Sequence, residues 1–157
     1  MKKVSFALLA FVMAVSICGC SQAKLDEIYD DDVEIAKRSD SYSTSIYTYS
    51  YVGNEANYHA RSLSGMKTVW EYEAVGECEV TIAFSLSVEK GGSAKLVLVN
   101  PDDEVIVLYE NTNNTVTDSM QTMQISMTKG MYRIKVVGRD KPEIDLVMHV
   151  STGNFVK

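Results

Sequence analysis

The run Cys78-Glu79-Val80-Thr81-Ile82-Ala83-Phe84-Ser85-Leu86-Ser87-Val88-Glu89 decides the fold. Cys78, Val80, Ile82, Phe84, Leu86 and Val88 fall on one parity; Glu77, Glu79, Thr81, Ala83, Ser85, Ser87 and Glu89 fall on the other. A period of two places one set on each side of an extended strand, with one side toward a core and the other toward water. A helix would scatter both sets around its circumference. Gly91-Gly92 closes the strand.

The same period extends in both directions. Lys95 to Val99 and Val105 to Tyr109 are two further strands. Asn100-Pro101-Asp102-Asp103 between them is a turn, because proline pre-sets φ and the flanking side chains bond their own backbone. Thr122 to Thr128 and Met131 to Val137 predict a hairpin about Lys129-Gly130. In the last strand Ile144, Leu146, Met148 and Val150 point inward and His149 outward. Upstream, Met66, Thr68, Trp70, Tyr72 and Ala74 share a face. Between residues 46 and 52, Tyr47, Tyr49 and Tyr51 alternate with Ile46, Thr48, Ser50 and Val52. About seven or eight short strands with turns between them predict an all-β antiparallel β-sandwich over residues 46–157.

Two stretches carry a resemblance. Lys95-Leu96-Val97-Leu98-Val99-Asn100-Pro101-Asp102-Asp103 and Lys129-Gly130-Met131-Tyr132-Arg133-Ile134-Lys135-Val136-Val137-Gly138 together resemble the jelly-roll pattern of bacterial secreted accessory domains. These are the pre-peptidase carboxy-terminal type and some carbohydrate-binding modules. The resemblance implies a jelly-roll-like sandwich; many functions share such folds.

The amino terminus sets the compartment. Lys2 and Lys3 precede a run from Val4 to Ile17 that is apolar except for Ser5 and Ser16, and the run closes on Ile17-Cys18-Gly19-Cys20. A cationic start, a short apolar stretch and small residues make a secretory signal. At about fourteen residues the run is too short to cross roughly 30 Å of hydrocarbon. Ile17-Cys18-Gly19-Cys20 resembles the lipobox of bacterial lipoproteins. That resemblance implies cleavage after Gly19, a diacylglycerol thioether on Cys20 and, in many bacteria, a further N-acyl chain. Two or more chains hold a protein durably, at roughly 0.8 kcal/mol per buried methylene. The expected location is extracytoplasmic, on the cell membrane or on an outer membrane where the host has one. Residues 1–19 are then the signal peptide. Residues 20–45, acidic and then rich in Ser, Thr and Tyr, are expected to form a lipid-anchored stalk.

Removing residues 1–19, which hold two lysines and no acid, leaves 138 of the 157 residues and moves the formal net charge from −6 to −8. That length can bury a core. The acidic balance argues against nucleic acid and against electrostatic attachment to anionic lipid. Of three cysteines, only Cys78 remains after Cys18 leaves and Cys20 is acylated, so the folded part holds no disulfide. Cys78 lies on the apolar side of its strand, where cysteine acts as a small hydrophobe.

Sites of chemistry are sparse. Met120, Met123, Met127 and Met131 would align as thioether ligands only on a helix; on strands they fill a core. Asp102 and Asp103 in the turn are weak calcium candidates without the alternating spacing of a calcium loop. The only histidines are His59 and His149, and neither a nucleophile elbow nor a His-Glu-x-x-His helix is present. Tyr47, Tyr49 and Tyr51 are the candidate ligand-binding residues, since sugars and proteins pack on exposed aromatic faces. The expected function is a lipid-anchored extracytoplasmic binding or envelope-interaction module with no catalytic set, its partners being the membrane and a protein or glycan ligand. The alternative is a carbohydrate-binding accessory domain that uses the tyrosines.

Overall fold

A computed structural model describes residues 21–112, 115–117 and 119–157. Eleven strands occur among them: β1 (Ser41–Ser43), β2 (Ile46–Val52), β3 (Glu55–Arg61), β4 (Ser64–Ala74), β5 (Cys78–Lys90), β6 (Ser93–Val99), β7 (Val105–Asn111), β8 (Gln121–Met127), β9 (Gly130–Arg139), β10 (Glu143–Val150) and β11 (Asn154–Phe155). They form two antiparallel sheets, β1-β4-β9-β6-β7 with β11 beside β4, and β2-β3-β10-β5-β8. The expected antiparallel sandwich is the observed one. The strand number is higher because β1 and β11, at three and two residues, are too short to show a period, and because β3 marks its buried side only with Ala56, Tyr58 and Ala60 between polar residues.

The decisive run is β5, an inner strand of the second sheet between β10 and β8. Val80, Ile82, Phe84, Leu86 and Val88 are buried in the main core. Its opposite side is not wholly in water. Ser85 and Ser87 are covered, because Ser87 Oγ donates to Thr117 O and accepts from Thr117 N–H as residues 115–117 cross that end. The Asn100 turn joins β6 to β7 as expected, with Asn100 Oδ1 accepting from the N–H groups of Asp102 and Glu104.

Three expectations are corrected. First, β8 and β9 are no hairpin: β8 pairs with β5 and β9 with β4 and β6, so the chain crosses between sheets at Thr128-Lys129. Second, Met66 and Trp70 do not share a face. The register of β4 against β9 shifts between Thr68 and Trp70, placing Val69 in a bulge. Met66 therefore packs in a second cluster with Val97 and Val137, while Trp70 enters the main core.

Third, residues 21–37 are not a free stalk. Residues 21–27 are helical (α1), and a 3-10 turn (Ile28–Asp30) leads to α2 (Asp32–Ala36), capped by Asp31 Oδ1 accepting from Glu34 N–H at 3.1 Å. Ile28, Tyr29, Ile35 and Ala36 pack on Met66, Val97, Val99 and Val137, the outer side of the first sheet. The Tyr29 ring lies under Lys95 Nζ (4.8 Å) and the Arg139 guanidinium (4.3 Å), and its hydroxyl donates to Glu110 at 2.7 Å. Lys135 Nζ donates to Lys37 O, and Asp40 Oδ1 accepts from Thr68 N–H at 2.9 Å and Thr68 Oγ1 at 2.7 Å. The acids that suggested a solvated stalk are partly matched by sheet cations, as in the 2.6 Å pair of Arg139 with Asp30.

Candidate functional site

The chain passes from the first sheet to the second at Thr44-Ser45, so the edge strands β1 and β2 lie at the same side of the sandwich. Thr44 Oγ1 and Ser45 N–H both donate to Arg61 O and fix this crossing. β1 can lie close on β4 because Gly65 stands opposite Tyr42; a Cβ there would sit 2.1 Å from Ser41 O.

The tyrosine row of β2 faces the inter-sheet side. Tyr47, Tyr49 and Tyr51 stand opposite Ala60, Tyr58 and Ala56 of β3, all three of which are core residues. Tyr58 is buried, and its hydroxyl donates to Val69 O at 2.5 Å. Tyr49 packs on it with ring centres 4.9 Å apart, and Tyr51 follows at 5.6 Å from Tyr49. Tyr47 continues the row inward, 6.4 Å from both Tyr42 and Tyr58. Lys67 Nζ sits 4.9 Å from the Tyr42 ring centre and 5.2 Å from that of Tyr47, and donates to Lys157 O at 2.8 Å. Exposure rises along the row: Tyr47 and Tyr49 are half-buried, and Tyr51 is 56% exposed. Burial pushes the phenols of Tyr47, Tyr49 and Tyr58 above the usual tyrosine range, so all three are neutral at physiological pH. The Tyr47 hydroxyl is buried with no hydrogen-bond partner among the described residues.

The other side of β2 is polar. A groove of about 170 Å³ is lined by Thr48, Ser50, Asn57, His59, Asp145 and Val147, among others. His59 Nδ1 lies 2.9 Å from Asp145 Oδ1. Beside them Arg61 Nη2 and Lys90 Nζ hold Glu143 at 2.9 and 3.0 Å, and this pairing keeps the Glu143 carboxyl below the usual carboxylate range. Sequence parity separated the tyrosines from the hydroxyl residues but carried no sign of His59, Asp145 and Glu143, which only the β3-β10-β5 pairing brings together.

Cys20 lies outside the described residues. Cys78 is half-buried with Sγ 3.9 Å from the Tyr72 hydroxyl. Asp103 pairs with Arg133 Nη2 at 2.9 Å, and no group of three or more His, Cys, Asp or Glu residues able to hold a metal occurs among the described residues. Met123 and Met127 pack against the main core beside Ile125, and Met127 is buried. His149 is exposed, 3.5 Å from Glu55. No helix among the described residues is long and apolar enough to cross a membrane.

No family model matches the sequence, and no curated protein matches it. Among solved structures, the chain is similar to the crystal structure of PirA (7% identity, 64% of this chain and 96% of that one, TM-score 0.43). It is also similar to a family 29 carbohydrate-binding module complexed with mannohexaose (14%, 73% and 87%, TM-score 0.38) and to a CBM4 structure (14%, 71% and 78%, TM-score 0.40). At these identities and scores the likeness says nothing of what this chain binds.

Proposed function

We propose that this chain is a non-catalytic, lipid-anchored extracytoplasmic binding module whose ligand is a carbohydrate held at the β2 rim. One observation carries the ligand: an exposed Tyr51 ring braced by Tyr49, which is braced in turn by the hydroxyl-anchored Tyr58. A braced ring loses little side-chain entropy on binding, and its apolar face fits the C–H face of a pyranose. The hydroxyls and amide of Thr48, Ser50 and Asn57 on the other side of the same rim supply donors and acceptors for sugar hydroxyls.

Tyr51→Ala is expected to lower affinity for the best ligand of a glycan array at least about tenfold, with an unchanged thermal midpoint because Tyr51 is outside the core. Array binding that survives Tyr51→Ala takes the sugar site away from Tyr51; an array with no binder removes the sugar reading and leaves a protein ligand as the alternative.

The anchor rests on the lipobox resemblance at residues 17–20. Cys20→Ala is expected to move the protein out of the membrane fraction; fractionation identical to the parent counts against acylation.

A further inference from the structure

We propose that two copies of this chain join edge to edge through β2, in antiparallel register about Tyr49, to make one continuous sheet across a two-fold axis. Among the described residues β2 is paired on one side only, with β3, so its other edge presents backbone N–H and C=O groups to solvent. Such edges are normally blunted by lysine, proline or a bulge. This one has none of these: no charged residue and no proline lies between Asp40 and Glu55, in a chain of formal net charge −6. An acidic protein meets its own copy with least repulsion at an uncharged strip.

The strand is also self-complementary. Ile46-Tyr47-Thr48-Tyr49-Ser50-Tyr51-Val52 reads as a chemical palindrome. Antiparallel pairing about Tyr49 sets Ile46 opposite Val52, Tyr47 opposite Tyr51, Thr48 opposite Ser50 and Tyr49 opposite itself. β-Branched, aromatic and hydroxyl residues each meet their own kind, the pairings that stabilise adjacent strands. Ile46 and Val52 are apolar yet 41% and 84% exposed on the outer side, and the pairing moves both from water into contact.

The other edges lack this combination. β8 is uncharged but places no large hydrophobic residue among the exposed ones. In β7 the equivalent centre, Leu108, would set Ile106 against Glu110. β1 has three residues. An isologous contact through β2 closes on itself, so the product is a dimer rather than a fibre.

This inference goes beyond the glycan reading. The contact takes up the backbone edge and the hydroxyl side of β2, which the glycan reading also uses, so mass and glycan binding are measured separately. The test is the mass of the full-length chain in detergent, by light scattering after size exclusion. The parent is expected to be a dimer. Thr48→Glu with Ser50→Glu puts like charges directly opposite twice and is expected to raise the dimer dissociation constant about tenfold or more. Thr48→Lys with Ser50→Glu puts opposite charges across the axis and is expected to restore the dimer. Both positions are exposed, and the thermal midpoint of each variant reports folding. A monomeric parent at tens of micromolar overturns the proposal, as do two folded double variants of equal mass. The parent chain alone separates the two readings: a dimer that finds no binder on the glycan array keeps the pairing and removes the sugar, and a monomer that binds a glycan does the reverse.

Discussion

Trp70→Ala is expected to destabilise the protein by about 3–5 kcal/mol, the range for emptying an aromatic site in a close-packed core. Trp70 is fully buried and its ring stacks on Tyr72 with centres 5.9 Å apart. The indole Nε1 donates to Thr152 O at 2.9 Å, so truncation also orphans a carbonyl. Gly153 is moulded to the ring: its φ is +96°, and a Cβ there would lie 2.4 Å from Nε1. The turn before β11 therefore has little room to collapse into the cavity. Urea unfolding followed by far-ultraviolet circular dichroism measures the loss, since Trp70 is the only tryptophan and its fluorescence disappears with it. Trp70→Phe keeps most of the apolar volume and is expected to lose only about 1–2 kcal/mol, chiefly the hydrogen bond. A loss below about 1 kcal/mol for Trp70→Ala would place the indole outside the core and undo the bulge assignment in β4.

Lys135 is expected to make the protein more stable as pH rises from about 8 to 10. Its side chain is fully buried beneath the Lys37–Asp40 segment, and burial brings its ammonium down to about 8. An unfolded lysine titrates near 10.4. Below pH 8 both states hold the proton and the penalty for a buried charge is fully present. Between the two values the folded state has released a proton that the unfolded state retains, so the folded state gains as pH rises. The full span is on the order of 3 kcal/mol. Tyr29, Tyr47 and Tyr58 act in the opposite direction, but only above pH 10, because burial raises each phenol. Lys135→Met is expected to flatten the rise and to be more stable than the parent at pH 7, less about 1 kcal/mol for the lost bond to Lys37 O. Asp40 loses the Lys135 ammonium at 3.8 Å in that variant but keeps Thr68 and, at 3.9 Å, Lys67 as partners. Urea midpoints at pH 7, 8, 9 and 10 decide it; parent and variant profiles of the same shape would show that Lys135 is not the titrating group.

The sandwich was legible wherever apolar and polar residues alternate along a strand, as β5 and β10 demonstrate. It was least legible where strands are covered on both sides. Leu96, Val97, Leu98 and Val99 are all buried, a continuous apolar run rather than an alternating one, and that run was the available sign that something covers the first sheet. The cover is supplied by Ile28, Tyr29 and Ile35, set among acids, so local composition read as a stalk. The Val69 bulge left no mark in the sequence, because a single inserted residue flips parity without changing residue type. At the candidate site the tyrosine row was visible from alternation. Its direction was not, since a row of tyrosines is equally at home toward solvent or toward Ala56, Tyr58 and Ala60.

The docked segment that begins at Ser21 has a consequence for reach. Seventeen extended residues would give a leash of roughly 60 Å. With residues 21–37 folded, and Leu25 to Ala36 of them lying against the first sheet, the proposed acylation at Cys20 would tether the domain on a far shorter leash. A domain held that way cannot sweep the surrounding space; it samples ligands within its own thickness of the bilayer and presents a preferred side to them. A two-fold axis normal to the joined sheets keeps both first sheets on one side, so the proposed pair would seat in a single leaflet, with the β2 edges joined between the copies and the second sheets turned away from the lipid.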